Sequence, residues 1–492
     1  MIANTTAGKV RGLEKGSMLQ FRGIRYATAA RFGLPGPVEP WTDVADATSF
    51  GPIAPQNASP LEAMLGAQDV PSSEDCLLLN VFTPGLDDHA RPVLVWIHGG
   101  GFTAGSGSVP WYDGSRLAGA GEAVVVTINY RLGALGFMAV DGFPGSGAAG
   151  LADQIAALGW VRDNIASFGG DPARVCVFGE SAGGMSVGAL LAAPGAQGLF
   201  RAAIAQSGTG EYVHSEDSAA EVTSAMLREL HASDPGALLG ASVEELLAAQ
   251  QVVGSVTRLT AKQFLPFMPI VDGAVLDQPP IDAIRDGRAA DVRVVTGTTS
   301  DEWNLFHVME RIGGEFDEVK LLRRVDAVLG DRANDVIDVY RSQRPGASPD
   351  DLWCAIATDW VFRMPAVRLL EAQSAHQPDT WGYEMTYRST AFDGALGACH
   401  AIEVPFVFDN LRRGGVDFLL GSVDADAEVL AKQMSGAWLA FATSLSPQHD
   451  AIPAWRSYSA AERAVMGFGR ETGIDVDPRA AEREAWQEIL TN

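Results

Sequence analysis

One serine stands where the chain could make a serine reactive. Val175-Cys176-Val177-Phe178, an apolar run of strand length, meets Gly179-Glu180-Ser181-Ala182-Gly183, and a small-residue run of helical length, Gly184 to Ala193, follows at once. A serine on a very tight strand-to-helix turn needs glycine two residues before and two after, because neighbouring backbone passes close by with no room for a Cβ. Such a serine stands clear of the sheet edge above a helix N-terminus, whose dipole and free N–H groups favour developing negative charge. In a chain with 54 glycines the pentapeptide alone is weak evidence. Its strand-turn-helix setting gives it weight.

Three further stretches carry residue types that could act with it. Val93-Leu94-Val95-Trp96-Ile97 reads as a buried strand and leads into His98-Gly99-Gly100-Gly101-Phe102. Three glycines in a row serve either as a flexible turn or as bare backbone whose N–H groups face a substrate oxygen, and a nucleophile turn downstream favours the second reading. Asp301 and Glu302 follow the strand-like Val292 to Gly297. Acidic residues there usually cap or open a helix, so neither has a chemical role without a partner. His400 sits in the small-residue loop Gly394 to Cys399, ahead of the apolar Val404 to Phe408. It is open to two readings, a reachable base or a structural histidine.

The elements that must position these residues alternate. Strand-like runs at Leu77–Phe82, Val93–Ile97, Val124–Ile128, Val175–Phe178, Ala202–Gln206, Val292–Gly297 and Trp381–Tyr387 are separated by helical segments. That order predicts a mainly parallel sheet covered by helices, with ligands at the carboxyl ends of the strands. Between Leu151 and Phe168 the spacing places Leu151, Ile155, Leu158, Val161, Ile165 and Phe168 on one apolar face, with Asp153, Arg162, Asp163 and Asn164 largely off it. The region from Ala219 to Gln251 reads as an inserted helical cap. Phe264 to Gly273 is apolar for a loop, and it packs under that cap or walls a pocket.

Composition narrows the function classes. Hydrophobic residues at 47% and charged residues at 20% describe a soluble globular protein. A formal charge of -25 repels nucleic acid and anionic membranes. No early apolar run resembles a signal peptide or membrane span, and Cys76, Cys176, Cys354 and Cys399 have neither metal-ligand nor disulfide-framework spacing. A cytoplasmic location with reduced thiols, no metal and no cofactor is expected. No repeat or linker divides the chain, so one domain over 1–492 is expected, with cap-like helical insertions near 209–263 and 304–378.

Taken in chain order, these motifs resemble the type-B carboxylesterases, the carboxylesterase/cholinesterase branch of the α/β-hydrolases, in their bacterial para-nitrobenzyl-esterase-like form. The resemblance runs from Phe21-Arg22-Gly23-Ile24-Arg25-Tyr26-Ala27 through Ser73-Glu74-Asp75-Cys76-Leu77, Asn129-Tyr130-Arg131-Leu132-Gly133 and Gly169-Gly170-Asp171-Pro172 to the His400 loop. It implies an α/β-hydrolase fold, a central mostly parallel sheet flanked by helices with inserted cap regions. It further implies a serine carboxylesterase acting on small to medium carboxylic esters as monomer or homodimer. Ser181 is then the nucleophile, Glu302 the acid and His400 the base, in the chain order expected of such enzymes. By the same resemblance Gly100, Gly101 and Ala182 are oxyanion-hole donors and Glu180 a carboxylate near the histidine. Phe102, Phe264 and Phe267 are candidates for the substrate pocket. Two departures stand out: Trp303 replaces the glycine usual after the acid, and no Trp, Tyr or Phe lies between Ala54 and Asp75 to hold a choline cation.

Overall fold

The computed structural model describes residues 1–58, 70–232, 234–260, 265–310 and 316–491. Eleven strands pair into one sheet: β1 (Leu13–Lys15), β2 (Met18–Arg25), β3 (Leu78–Thr83), β4 (Arg91–Ile97), β5 (Val124–Ile128), β6 (Gly170–Glu180), β7 (Ala202–Gln206), β8 (Arg293–Thr299), β9 (Thr380–Met385), β10 (Ala464–Phe468) and β11 (Gly473–Val476). Across the sheet they run β11-β10-β9-β8-β7-β6-β4-β5-β3-β2-β1. From β5 to β10 every neighbouring pair is parallel, and the antiparallel pairs lie at the two sides. A separate small sheet joins Ile2–Asn4, Lys9–Arg11 and Val44–Asp46.

The central strands read as continuous apolar runs because both of their faces are covered. Along β4, Val93, Val95 and Ile97 enter one core with Leu151, Leu158 and Val161, while Leu94 and Trp96 enter another with Phe178, Trp438 and Phe441. Period-two alternation thus survives in the packing although both sides are apolar. Helices α1 (Ala149–Asn164), α2 (Ala182–Ala192), α3 (Trp303–Glu310), α4 (Pro349–Thr358), α5 (Met364–Ser374), α6 (Ala425–Ser444) and α7 (Ala480–Thr491) are those that bear on the site. A third core joins Trp303, Leu321, Val325, Tyr340, Leu352, Trp353, Val361 and Phe362 to Trp486 of α7. It fastens the helices between Trp303 and Phe362 to α7.

One expected face proves different. The helix begins earlier and closes in a 3-10 turn over Ile165–Phe168, and Asp153 and Asn164 are buried with the apolar face. Asp153 is drawn in by Arg131: Nε and Nη2 donate to its two carboxylate oxygens at 2.8 and 2.7 Å, and the Arg131 amide donates at 3.0 Å. A fully paired, bidentate carboxylate can be buried where a lone one cannot. The four cysteines are unbridged and buried. Among the described residues no helix is long and apolar enough to cross a membrane, and no group of three or more His, Cys, Asp or Glu side chains could hold a metal ion.

Candidate active site

Ser181 directly follows β6 and precedes α2, with φ 58° and ψ -125°. That conformation is costly for a residue with a Cβ and persists only where packing enforces it. The packing is explicit at two glycines. A Cβ on Gly183 would stand 2.0 Å from the Ile97 carbonyl oxygen, and one on Gly179 would stand 2.6 Å from the Gly183 carbonyl carbon. The Ser181 amide donates to Gln206 O at 2.9 Å, pinning the turn to the end of β7. Its hydroxyl makes no capping bond to α2.

Because β4 lies beside β6, the loop after β4 comes to the same place. Gly100, Gly101 and Phe102 all have positive φ (101°, 59° and 59°). His98 Nδ1 lies 2.9 Å from Gly99 O, its ring stacks on Tyr130 at 4.5 Å, and the Tyr130 hydroxyl donates to His98 O at 2.8 Å. Burial holds the His98 imidazole down to about 4, so it is neutral and supports the loop as a hydrogen-bonding group without charge. Among the described residues the amides of Gly100 and Gly101 have no backbone acceptor. Ala182 opens α2, whose first N–H groups have no partner within the helix.

Glu302 follows β8 and is fully buried. Its Oε1 accepts from the Ser207 hydroxyl at 2.6 Å and from the Thr299 amide at 2.7 Å, leaving Oε2 for His400 Nδ1 at 2.6 Å. Neighbouring Asp301 points the other way, accepting from the Ala398 amide and from Arg388, each at 2.9 Å. One carboxylate therefore meets the imidazole and the next clamps the loop that carries it. Trp303, in place of the usual glycine, starts α3 without positive φ, donates its amide to Thr358 Oγ1 at 3.1 Å and packs against Phe306 and Trp353. The turn after Glu302 thus needs no glycine here.

His400 is 4% exposed and faces three carboxylates. Besides Glu302, Glu180 Oε1 stands 3.1 Å from its Nε2. Glu403 lies behind, its Oε1 3.4 Å from both Gln206 Nε2 and the Tyr383 hydroxyl. Burial is the largest single influence on the imidazole and disfavours its charge. Glu180, then Glu302, then Glu403 outweigh it and lift His400 to about 9. Burial, with the Glu302 charge second, pushes Glu403 up to about 7. Two aromatic rings complete the surroundings of His400, Phe362 at 4.7 Å and Phe306 at 5.2 Å between centroids.

Ser181, Glu302, His400, Glu180 and the glycine loop therefore converge at the carboxyl ends of β4, β6 and β8. Phe102 and Phe267 are fully buried, Phe102 lying 4.9 Å from Phe137, and Phe264 falls outside the described residues. The side chain that approaches the glycine loop from that stretch is Leu265, 3.4 Å from where a Cβ on Gly101 would stand. Sequence reasoning missed Ser207, Glu403, Phe306 and Phe362. Glu403, three residues beyond His400 and in a buried apolar run, was the one with a readable signal.

Comparison with known proteins identifies the family of the chain. The model of the carboxylesterase family matches residues 1–486. The chain is 38% identical to a para-nitrobenzyl esterase of Bacillus subtilis over 98% of both chains, and 36% identical to a phenmedipham hydrolase of Pseudarthrobacter oxydans over 96% of this chain and 95% of that one. The structure of a carboxylesterase from Geobacillus stearothermophilus superposes with a TM-score of 0.89 at 38% identity, covering 99% of this chain and all of the other. Sequence, sheet order and neighbours lead to one statement: the chain belongs to the carboxylesterase family, has the α/β-hydrolase fold, and is a carboxylic ester hydrolase.

Proposed function

We propose that the protein hydrolyses small to medium carboxylic esters through an acyl-serine intermediate, with Ser181, His400 and Glu302 as its triad. The observation that carries this reading is a serine held at φ 58° on a strand-to-helix turn while His400 Nδ1 is held 2.6 Å from buried Glu302. Nε2, the nitrogen away from Glu302 and 3.1 Å from Glu180 Oε1, is the one that takes part in proton transfer. His400 in its neutral form takes the Ser181 proton as Oγ attacks the ester carbonyl, and Glu302 holds the imidazole's tautomer and stabilises its charge. Gly100, Gly101 and Ala182 donate to the tetrahedral oxyanion, where one lost donor typically costs about 100- to 1,000-fold in rate. His400 returns the proton to the departing alcohol, and water repeats the cycle to release the acid.

Glu180 sets the protonation requirement. With His400 protonated, both of its N–H groups lie against carboxylates, so the resting form favours imidazolium and the reactive form needs that proton removed. The para-nitrobenzyl esterase among the relatives supports nitrobenzyl esters as first substrates. The test is hydrolysis of p-nitrophenyl esters from acetate to decanoate beside Ser181→Ala and Glu302→Gln. Turnover lost in Ser181→Ala and lowered about 10,000-fold in Glu302→Gln is expected. Turnover that persists in Ser181→Ala would remove the serine from the mechanism.

A further inference from the structure

Phe362 reaches His400 from an unusual piece of backbone. Between α4 and α5 the helix runs through a five-residue π-helical turn, Asp359–Arg363, of the kind that gathers at functional sites. The Met364 amide reaches back five residues to Asp359 O, and Pro365 removes one regular bond beside it. A proline has no N–H to give the carbonyl four residues back, that of Val361. The Tyr212 hydroxyl donates to Val361 O instead, so the freed carbonyl is satisfied inside the protein.

The turn is also locked from its other side. Asp359 is fully buried, and Arg363 Nε and Nη2 donate to its two oxygens at 2.6 Å each. The Tyr340 hydroxyl donates to the same carboxylate, Trp486 Nε1 donates to Tyr340 at 2.9 Å, and Arg363 Nη1 donates to Pro478 O at 3.2 Å. A buried, bidentate, fully bonded pair of this kind fixes geometry more than it adds stability. What it fixes is Phe362, 1% exposed, with its ring 4.7 Å from the imidazole and stacked at 6° on Phe306.

We propose that Phe362, carried by this locked π-turn, is a positioning residue for His400. Nδ1 against Glu302 and Nε2 against Glu180 hold the two nitrogens of the imidazole but leave the ring free to turn about the line between them. Phe362 and Phe306 lie against the ring and limit that turn, which holds the plane of the imidazole. An apolar side chain of similar size lacks the flat face that this requires, so ring shape matters as well as volume. The proposal rests on the triad reading above and adds a residue that acts through the imidazole.

The test compares wild type, Phe362→Leu and Phe362→Tyr by p-nitrophenyl ester kinetics and by the rate at which a fluorophosphonate probe labels Ser181. Phe362→Leu is expected to lower kcat and the labelling rate by about tenfold, equally for acetate, butyrate and octanoate, with KM changed less than twofold. Phe362→Tyr, which keeps the ring, is expected to recover most of that loss. Undiminished kcat in folded Phe362→Leu overturns the proposal, and so does a loss confined to KM that grows with acyl length, which would make the ring a pocket wall. Wild type that fails to label at Ser181 overturns the triad reading itself and the positioning role with it. If Phe362→Leu does not fold by circular dichroism, Phe362→Met, flexible enough to fill the same space, takes its place under the same criteria.

Discussion

Replacing Glu180 by glutamine keeps the shape of the side chain and removes one charge 3.1 Å from His400 Nε2. At an effective dielectric of about 20, unit charges at that distance attract by ~5 kcal/mol, which at ~1.4 kcal/mol per pH unit sets a ceiling near 4 units. Partners at this range more often move a titration by about 1–3 units, and Glu302 and Glu403 remain in the variant. We therefore expect the acidic limb of kcat/KM, near pH 9 in wild type, to fall by about 1–2 pH units in Glu180→Gln. The sign follows from the base being the neutral imidazole: a raised value means activity climbs with pH and levels only above about 9. The height of the profile should change too. Glu180 stabilises imidazolium in the resting enzyme and in the transition state alike, so rates well below the limb should nearly coincide. The alkaline plateau, where the resting imidazole is neutral, should drop by about 10- to 100-fold, the same factor as the shift in the limb. The assay is p-nitrophenyl acetate hydrolysis from pH 5.5 to 10, corrected for spontaneous hydrolysis. A wild-type limb at or below 6.5, or a limb that Glu180→Gln leaves in place, would refute the reasoning.

Two further expectations concern stability. Asp153→Asn strands the Arg131 guanidinium, 4% exposed, without its counter-charge, and should cost about 3–5 kcal/mol in urea unfolding; a loss below 1 kcal/mol would mean that the site rehydrates freely. Gly159 lies inside α1 with nothing within 4 Å of an added Cβ, so Gly159→Ala should raise stability by about 0.5–1 kcal/mol, read as a higher urea midpoint at unchanged slope.

What the sequence made legible was what is local in the chain. The Ser181 turn and the glycine loop are each written within five residues, because their constraints are steric contacts between near neighbours and the adjoining strand. The choice between Asp301 and Glu302 could not be made from composition, since it depends on which carboxylate the end of β8 turns toward the sheet interior and which toward Ala398. Resemblance supplied it. Asp153 escaped because α1 is packed on most of its surface, and an ion pair with Arg131, 22 residues away, reverses the ordinary meaning of a charge in a helical pattern. Phe362 and Glu403 escaped for the same reason in stronger form: they matter only through what stands opposite them. The local hints were Glu403's place in an apolar run and Pro365, a break in an otherwise helical period.

The spread of the site along the chain bears on how the protein comes to be active. Glu302 meets Ser207 across 95 residues and His400 across 98, and the strands that set these distances are parallel neighbours reached only by long crossovers. Closing such loops is slow, and contacts of this range form late in folding. A half-built sheet could already hold the Ser181 turn between β4 and β7 and still lack Glu302 and His400. Ester turnover therefore reports completion of the fold, and its return after denaturation should trail the recovery of helical signal, with the interval measuring how long β8 and β9 take to dock.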